Sequence, residues 1–245
     1  MGRIVLILII AVVTVFTSCS KEKEIRIFCI GDSTMANKKT KVYPETGWCQ
    51  VLDLYFDNTV QIKNHAVNGR SSKSFIDEGR WKSVLDSLQK GDYVFIQFGH
   101  NDQKEYDSTR YTTPYGTYSD NLKKFVNESR SKKAKPVLFT SIVRRHFDKN
   151  GTLIDTHGDY PEACRDLANE MNVPLIDLQK LTEEMINETG ENNSKEIYVW
   201  TAPNNEYPDG RKDNTHLSEK GAKIVAQIAL EESKKLNLEF SKRLK

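Results

Sequence analysis

Cysteine is scarce in this chain, four residues in 245. Cys19 lies in the N-terminal segment discussed below. The other three, Cys29, Cys49 and Cys164, are odd in number and widely spaced, which is not the pattern of a disulfide-stapled domain. A single bridge between two of them stays open, while Cys29, inside an apolar run, reads as a small buried hydrophobe. Histidines are also few, five in all. Neither they nor the carboxylates show H-x-x-x-H or cysteine-rich spacing, so no metal site and no cofactor is expected. Charge of one sign is missing too: 36 Lys and Arg stand against 34 Asp and Glu, a net +2. The one concentrated basic stretch, Ser131-Lys132-Lys133-Ala134-Lys135, reads as an exposed helix end, so no nucleic-acid partner is expected. Internal repeats and low-complexity segments are absent, and the length suits one large domain with a full core.

What is present begins with the N-terminus. Arg3 is followed by the apolar run IVLILIIAVVTVF and then Thr17-Ser18-Cys19-Ser20. One positive charge, a short apolar stretch and small residues describe a secretory leader, and the stretch is short for a membrane span. The segment resembles a bacterial lipoprotein signal, in which the cysteine becomes the lipidated first residue. A plain secretory leader cut nearby is the other reading. The expectation is therefore a leader over 1–19, a charged linker over 20–24, and one domain over 25–245. The protein is expected to be exported, as a periplasmic, outer-membrane or cell-surface lipoprotein of a bacterium. Its membrane contact would be confined to a lipid on Cys19.

Behind the linker, β-prone runs alternate with helical patterns. Strands are expected at 25–30, 60–67, 93–98, 136–142 and 173–178, and helices at roughly 47–57, 81–89, 117–132, 159–171 and 217–236. Alternation of this kind predicts a parallel sheet with helices on both faces. Five strands fit a flavodoxin-like 2-1-3-4-5 order in a three-layer α/β/α sandwich, whose sites lie at the carboxyl ends of the strands. Gly31-Asp32-Ser33, Asn68-Gly69-Arg70, Gly99-His100-Asn101-Asp102 and Arg144-Arg145-His146 all follow such ends.

Serine at a strand end is either a helix cap or a nucleophile. Gly31-Asp32-Ser33-Thr34-Met35 lacks the second glycine of the lipase elbow G-x-S-x-G, so the partners must decide. A nucleophilic serine needs a base, and the base needs an orienting group. His216 in DNTHLS has Asp213 three residues before it, an offset at which a carboxylate can fold back onto the imidazole. The same residues could equally be an ordinary turn. Ser218 is the expected cap of the last helix. Oxyanion donors could come from the N–H of Gly69, from the Asn101 amide, and from the N–H of Ser33 if a helix starts there.

Taken in order, Gly31-Asp32-Ser33, Gly69, Gly99-x-Asn101-Asp102 and Asp213-x-x-His216 resemble the four blocks of the SGNH (GDSL) hydrolase superfamily. GDSTMA, NGRSSKSF, QFGHND and DNTHLSEKGA resemble its rhamnogalacturonan acetylesterase branch, carbohydrate esterase family 12. The resemblance implies Ser33 as nucleophile, His216 as general base and then acid, and Asp213 as its orienter. It implies Ser33, Gly69 and Asn101 as the oxyanion hole, and a metal-free removal of acetyl groups from a plant cell-wall polysaccharide. Asp32 is then a brace of the loop. Arg70 and Arg144 could line a groove for an anionic sugar chain, with His157 as a further, less favoured member, and Trp200 could stack on sugar. The alternatives are an acetylxylan, other carbohydrate or lipid esterase, and a carbohydrate-binding lipoprotein without catalysis.

Overall fold

The computed structural model describes residues 24–245. The expected leader, Cys19 and most of the linker lie outside the described residues. The organising fact is the two-residue period of the strands. In β1 (Ile25–Gly31) the residues Ile25, Ile27 and Cys29 face one side and Phe28 and Ile30 the other. β3 (Tyr93–Gln97) divides Tyr93 and Phe95 from Val94 and Ile96 in the same way. A strand apolar on both faces must be covered on both, as parallel sheets are. With β2 (Val60–Asn64), β4 (Lys135–Phe139) and β5 (Leu175–Ile176) these form a sheet in the order β2-β1-β3-β4-β5, every neighbouring pair parallel. The predicted 2-1-3-4-5 order and sandwich are borne out.

One face is covered by α1 (Ser72–Asp77), α2 (Arg80–Ser87), α3 (Ser119–Ser131) and α4 (Tyr160–Glu170), which contribute Phe75, Trp81, Phe125 and Leu167 to the core. The other is covered by α5 (Leu178–Asn193), α6 (Glu219–Lys235) and a tighter 3-10 turn over Trp48–Leu54, through Trp48, Ile186, Val225 and Ala229. The helix expected at 47–57 is thus a shorter, tighter segment. Its Trp48 is pinned across the sheet edge, the indole donating to Gln97 Oε1 at 2.7 Å. At the β1 end the backbones approach closely: a Cβ on Gly31 would lie 2.6 Å from the Gln97 carbonyl oxygen.

Three elements lie outside the sequence expectation. α5 follows β5 directly, capped by Asp177. After it, β6 (Tyr198–Thr201) and β7 (Arg211–Leu217) form an antiparallel hairpin apart from the main sheet. Its register jumps: Val199 opposes Asp213 while Tyr198 opposes Leu217. Residues 214–216 are therefore pushed out of the ladder as a bulge, a device that re-aims side chains. Cys29, Cys49 and Cys164 are free and buried. Among the described residues no helix is long and apolar enough to cross a membrane.

Candidate active site

At the carboxyl end of β1 the chain turns at once. The N–H groups of Met35 and Ala36 both bond the Asp32 carbonyl, at 3.3 and 3.1 Å. No α-helix follows, because the Thr34 carbonyl accepts the Trp48 N–H at 3.0 Å instead of an amide of its own segment. The helix start expected at Ser33 is a single turn. Asp32, fully buried, braces it: Oδ1 accepts the N–H and the hydroxyl of Thr34, each at 2.9 Å. Burial raises the Asp32 pKa, against the pull of those two bonds.

The bulge of β7 supplies the other half. Asp213 Oδ1 accepts the backbone N–H groups of Thr215 and His216, at 2.8 and 2.9 Å, the fold-back geometry that short polar side chains favour. Asp213 Oδ2 lies 2.8 Å from His216 Nδ1 and 2.6 Å from Arg211 Nη2. Burial alone would lift the Asp213 carboxyl, but the bonds from His216 and Arg211 outweigh it and hold the group well below the usual carboxylate range. An ionised Asp213 accepts the Nδ1 proton and leaves the lone pair of Nε2 exposed. That atom lies 3.0 Å from Ser33 Oγ. Ser218 then caps α6, its Oγ accepting the Gly221 N–H at 3.1 Å, so His216 is mounted at a rigid helix start.

Arg211 has a second carboxylate, Glu45 Oε2 at 3.3 Å, and Glu45 Oε1 pairs with Lys38 Nζ at 2.8 Å. Lys38, Glu45, Arg211 and Asp213 thus form one alternating charge chain behind the histidine. Sequence reasoning missed it. One signal was available: Arg211 is two residues before Asp213, hence on the same face of a strand. Nothing local pointed to Glu45 or Lys38.

Gly69 adopts a left-handed φ of 76°, a conformation glycine takes at low cost. Among the described residues, neither the Gly69 nor the Ser33 N–H donates to a protein acceptor. Asn101 uses one amide hydrogen on the Arg70 carbonyl, at 3.1 Å, which leaves its second available. Asp102, fully buried, ties these loops together. It accepts the Ser72 N–H at 3.0 Å, the Gly99 N–H at 3.1 Å and the Thr112 hydroxyl at 3.1 Å. Burial pushes its carboxyl up to about 7, opposed by the bonds from Ser72 and Thr112.

The side chains expected to meet sugar are placed differently from one another. Arg70 lines a cavity of about 480 Å³ beside Gly69 and pairs with Glu78 at 3.1 Å. Arg144 bonds the Thr156 carbonyl and hydroxyl, each at 3.1 Å, and the His100 carbonyl at 3.2 Å, joining two loops. Trp200 donates its indole N–H to Asn214 Oδ1 at 2.8 Å, and its ring carries the Arg145 guanidinium 4.9 Å from the centroid. His157 is buried, its Nε2–H donating to the Ile142 carbonyl at 2.8 Å, and burial lowers its pKa to about 4.

A doubly covered parallel sheet with serine, imidazole and carboxylate aligned at its carboxyl edge is the layout of a serine hydrolase. Residues 29–224 match the GDSL-like lipase/acylhydrolase family, and the chain belongs to that family as a carboxylic ester hydrolase. It is 43% identical over 225 residues to the rhamnogalacturonan acetylesterase RhgT of Bacillus subtilis, covering 91% of this chain and 95% of that one. Identity to the probable rhamnogalacturonan acetylesterase YesY of the same organism is 34%, over 89% and 96% of the two chains. The crystal structure of B. subtilis YxiM superposes with a TM-score of 0.74 at 25% identity, and this chain, 88% covered, spans 58% of that one.

Proposed function

We propose that the protein is an acetylesterase acting on a plant cell-wall polysaccharide, acetylated rhamnogalacturonan, by a serine mechanism. Ser33 Oγ attacks the acetyl carbonyl as its proton passes to His216 Nε2, and Asp213 stabilises the imidazolium. The oxyanion is met by the N–H groups of Ser33 and Gly69 and by the Asn101 amide. His216 returns the proton to the sugar oxygen, which leaves as a hydroxyl, and the acetyl group stays on Ser33. Water deprotonated by the same histidine then attacks, releasing acetate and free serine.

The observation that carries this reading is the unbroken line from Ser33 through His216 to Asp213, with contacts of 3.0 and 2.8 Å. The substrate is supported by the identity to RhgT, sustained along nearly the whole of both chains. Acetate release from acetylated rhamnogalacturonan is the test, with Ser33→Ala as the comparison. The variant is expected to lose on the order of a thousandfold or more in kcat, and full activity in it would refute the mechanism. Acetylated xylan in the same assay addresses the substrate: faster release from xylan than from rhamnogalacturonan would move the enzyme to hemicellulose. The leader pattern supports export with a lipid on Cys19. Palmitate labelling of the full chain, abolished by Cys19→Ala, is the expected result.

A further inference from the structure

A parallel sheet has two unlike edges, and the candidate active site occupies only one. β1, β3 and β4 all begin at the edge opposite Ser33, Tyr93 lying beside Ile27 and Lys135 beside Tyr93. There Glu24, Lys90, Lys133, Lys135, Glu239 and Arg243 border a cavity of about 230 Å³. The turns before β3 and β4 are tied to each other. The Gly91 N–H donates to the Lys133 carbonyl at 3.0 Å, and the Lys135 N–H to the Asp92 carbonyl at 2.8 Å. Lys135 is paired with Glu239 at 2.5 Å. Lys90, Lys132 and Lys133 are exposed, and among the described residues none of the three has an ion-pair partner. Lys133 also has a φ of 59°, the left-handed conformation that glycine fills most readily after a helix. A positive charge thus stands where the backbone alone would favour glycine.

The leader reading puts a lipid on Cys19, five residues before Glu24. A chain of that length spans at most about 18 Å, so the lipid would keep this edge of the sheet, and not the edge of Ser33, close to the bilayer. Anionic headgroups attract basic side chains within about a Debye length of the surface, each cation strengthening binding roughly fivefold. We propose that the edge where the strands begin is a membrane-docking face, on which Lys90, Lys132 and Lys133 meet the phosphate groups of anionic lipids in the bilayer that carries the Cys19 lipid. The proposal rests on the lipid-anchor reading above and extends it: the tether brings the domain to the surface, and the lysines fix which end faces it. Ser33 and its loops then point away from the bilayer, toward a polymer in the surrounding medium.

The experiment places the full chain, lipid-modified at Cys19, in vesicles of phosphatidylcholine alone and of equal parts phosphatidylcholine and phosphatidylglycerol. Reaction of each lysine with a membrane-impermeant amine-acylating reagent is followed by peptide mass. In the anionic vesicles Lys90, Lys132 and Lys133 should react about fivefold more slowly than in the neutral ones, and the difference should vanish at high salt. Lys149, on the loop after β4, and Lys212, on β7, are exposed near the other edge and should react alike in both. The combined variant Lys90→Gln, Lys132→Gln, Lys133→Gln should stay attached through its lipid, keep wild-type activity on p-nitrophenyl acetate, and leave Lys135 equally reactive in the two vesicles. Equal reactivity of the three lysines in both vesicles, with the wild-type protein attached, overturns the docking face and leaves the anchor standing. Protection that requires added pectin rather than anionic lipid hands the face to the polymer and overturns it as well. A full chain that gains no lipid at Cys19 overturns both the anchor and the face.

Discussion

Single residues divide into those whose type announced them and those whose position made them matter. Ser33, Asp213 and His216 could be picked out because each is a reactive or orienting type at a telling place, a strand end or a three-residue offset. Asp102 is of the second kind. It sits beside Asn101 in the sequence, yet its work is to hold the Ser72 amide at the head of α1 and the Gly99 amide after β3 on one carboxylate. Those two loops carry Gly69 and Asn101, so Asp102 sets the spacing of the two donors proposed to meet the oxyanion. Asp102→Asn would aim an NH2 at groups that are themselves donors. The expected cost is about 2–4 kcal/mol of stability, read from the urea midpoint, together with a fall in kcat. An unchanged midpoint would mean the carboxylate is not the tie described. Glu45 and Lys38 had no such neighbourly cue, because the chain that links them to Asp213 is assembled from distant segments.

Among the elements, the β6–β7 hairpin was concealed by composition. RKDNTHL is polar almost throughout, and a strand that belongs to neither face of the main sheet has no apolar alternation to display. Its bulge nonetheless presents both the carboxylate and the imidazole. Trp200 steadies it from β6 through the bond to Asn214. Trp200→Phe keeps the ring under Arg145 and removes that bond. We expect kcat to fall a few-fold, about 3–10 times, on p-nitrophenyl acetate and on polysaccharide alike, by loss of positioning. A rise in KM confined to polysaccharide would instead mark Trp200 as a sugar contact. α5 was hidden for a related reason. Its sequence LQKLTEEMINETGENN buries little, so its apolar stripe is thin, and Asp177 as its cap only becomes evident once β5 is seen to stop after two residues.

For the whole molecule, burial at the carboxyl edge of the sheet has a consequence for pH. His157 is held neutral, its pKa lowered to about 4 by burial and by the Arg144 guanidinium beside it, whereas an unfolded histidine titrates near 6.5. Below that value the unfolded chain binds a proton the folded chain refuses, so this contribution to stability declines from about pH 6.5 toward 4. Asp102, raised to about 7, acts with the opposite sign over part of the same range. A comparison of variants separates the two: His157→Gln should lose less melting temperature than wild type between pH 6.5 and 4, and parallel curves would remove His157 from the account. The sequence by itself determined the strand order and the two-sided core, because apolar runs of period two with helices between them bury well in only a few arrangements. It also determined the four polar blocks, because residue type and order along the chain are enough to mark candidate groups. Only the tertiary structure decided that Ser33 stands on a single turn, that Asp213 is clamped by an arginine, and that Lys90 and Lys133 meet beside Glu24. Each of those depends on contacts between segments far apart in the chain, and no local pattern of apolar and polar residues records which distant surfaces will meet.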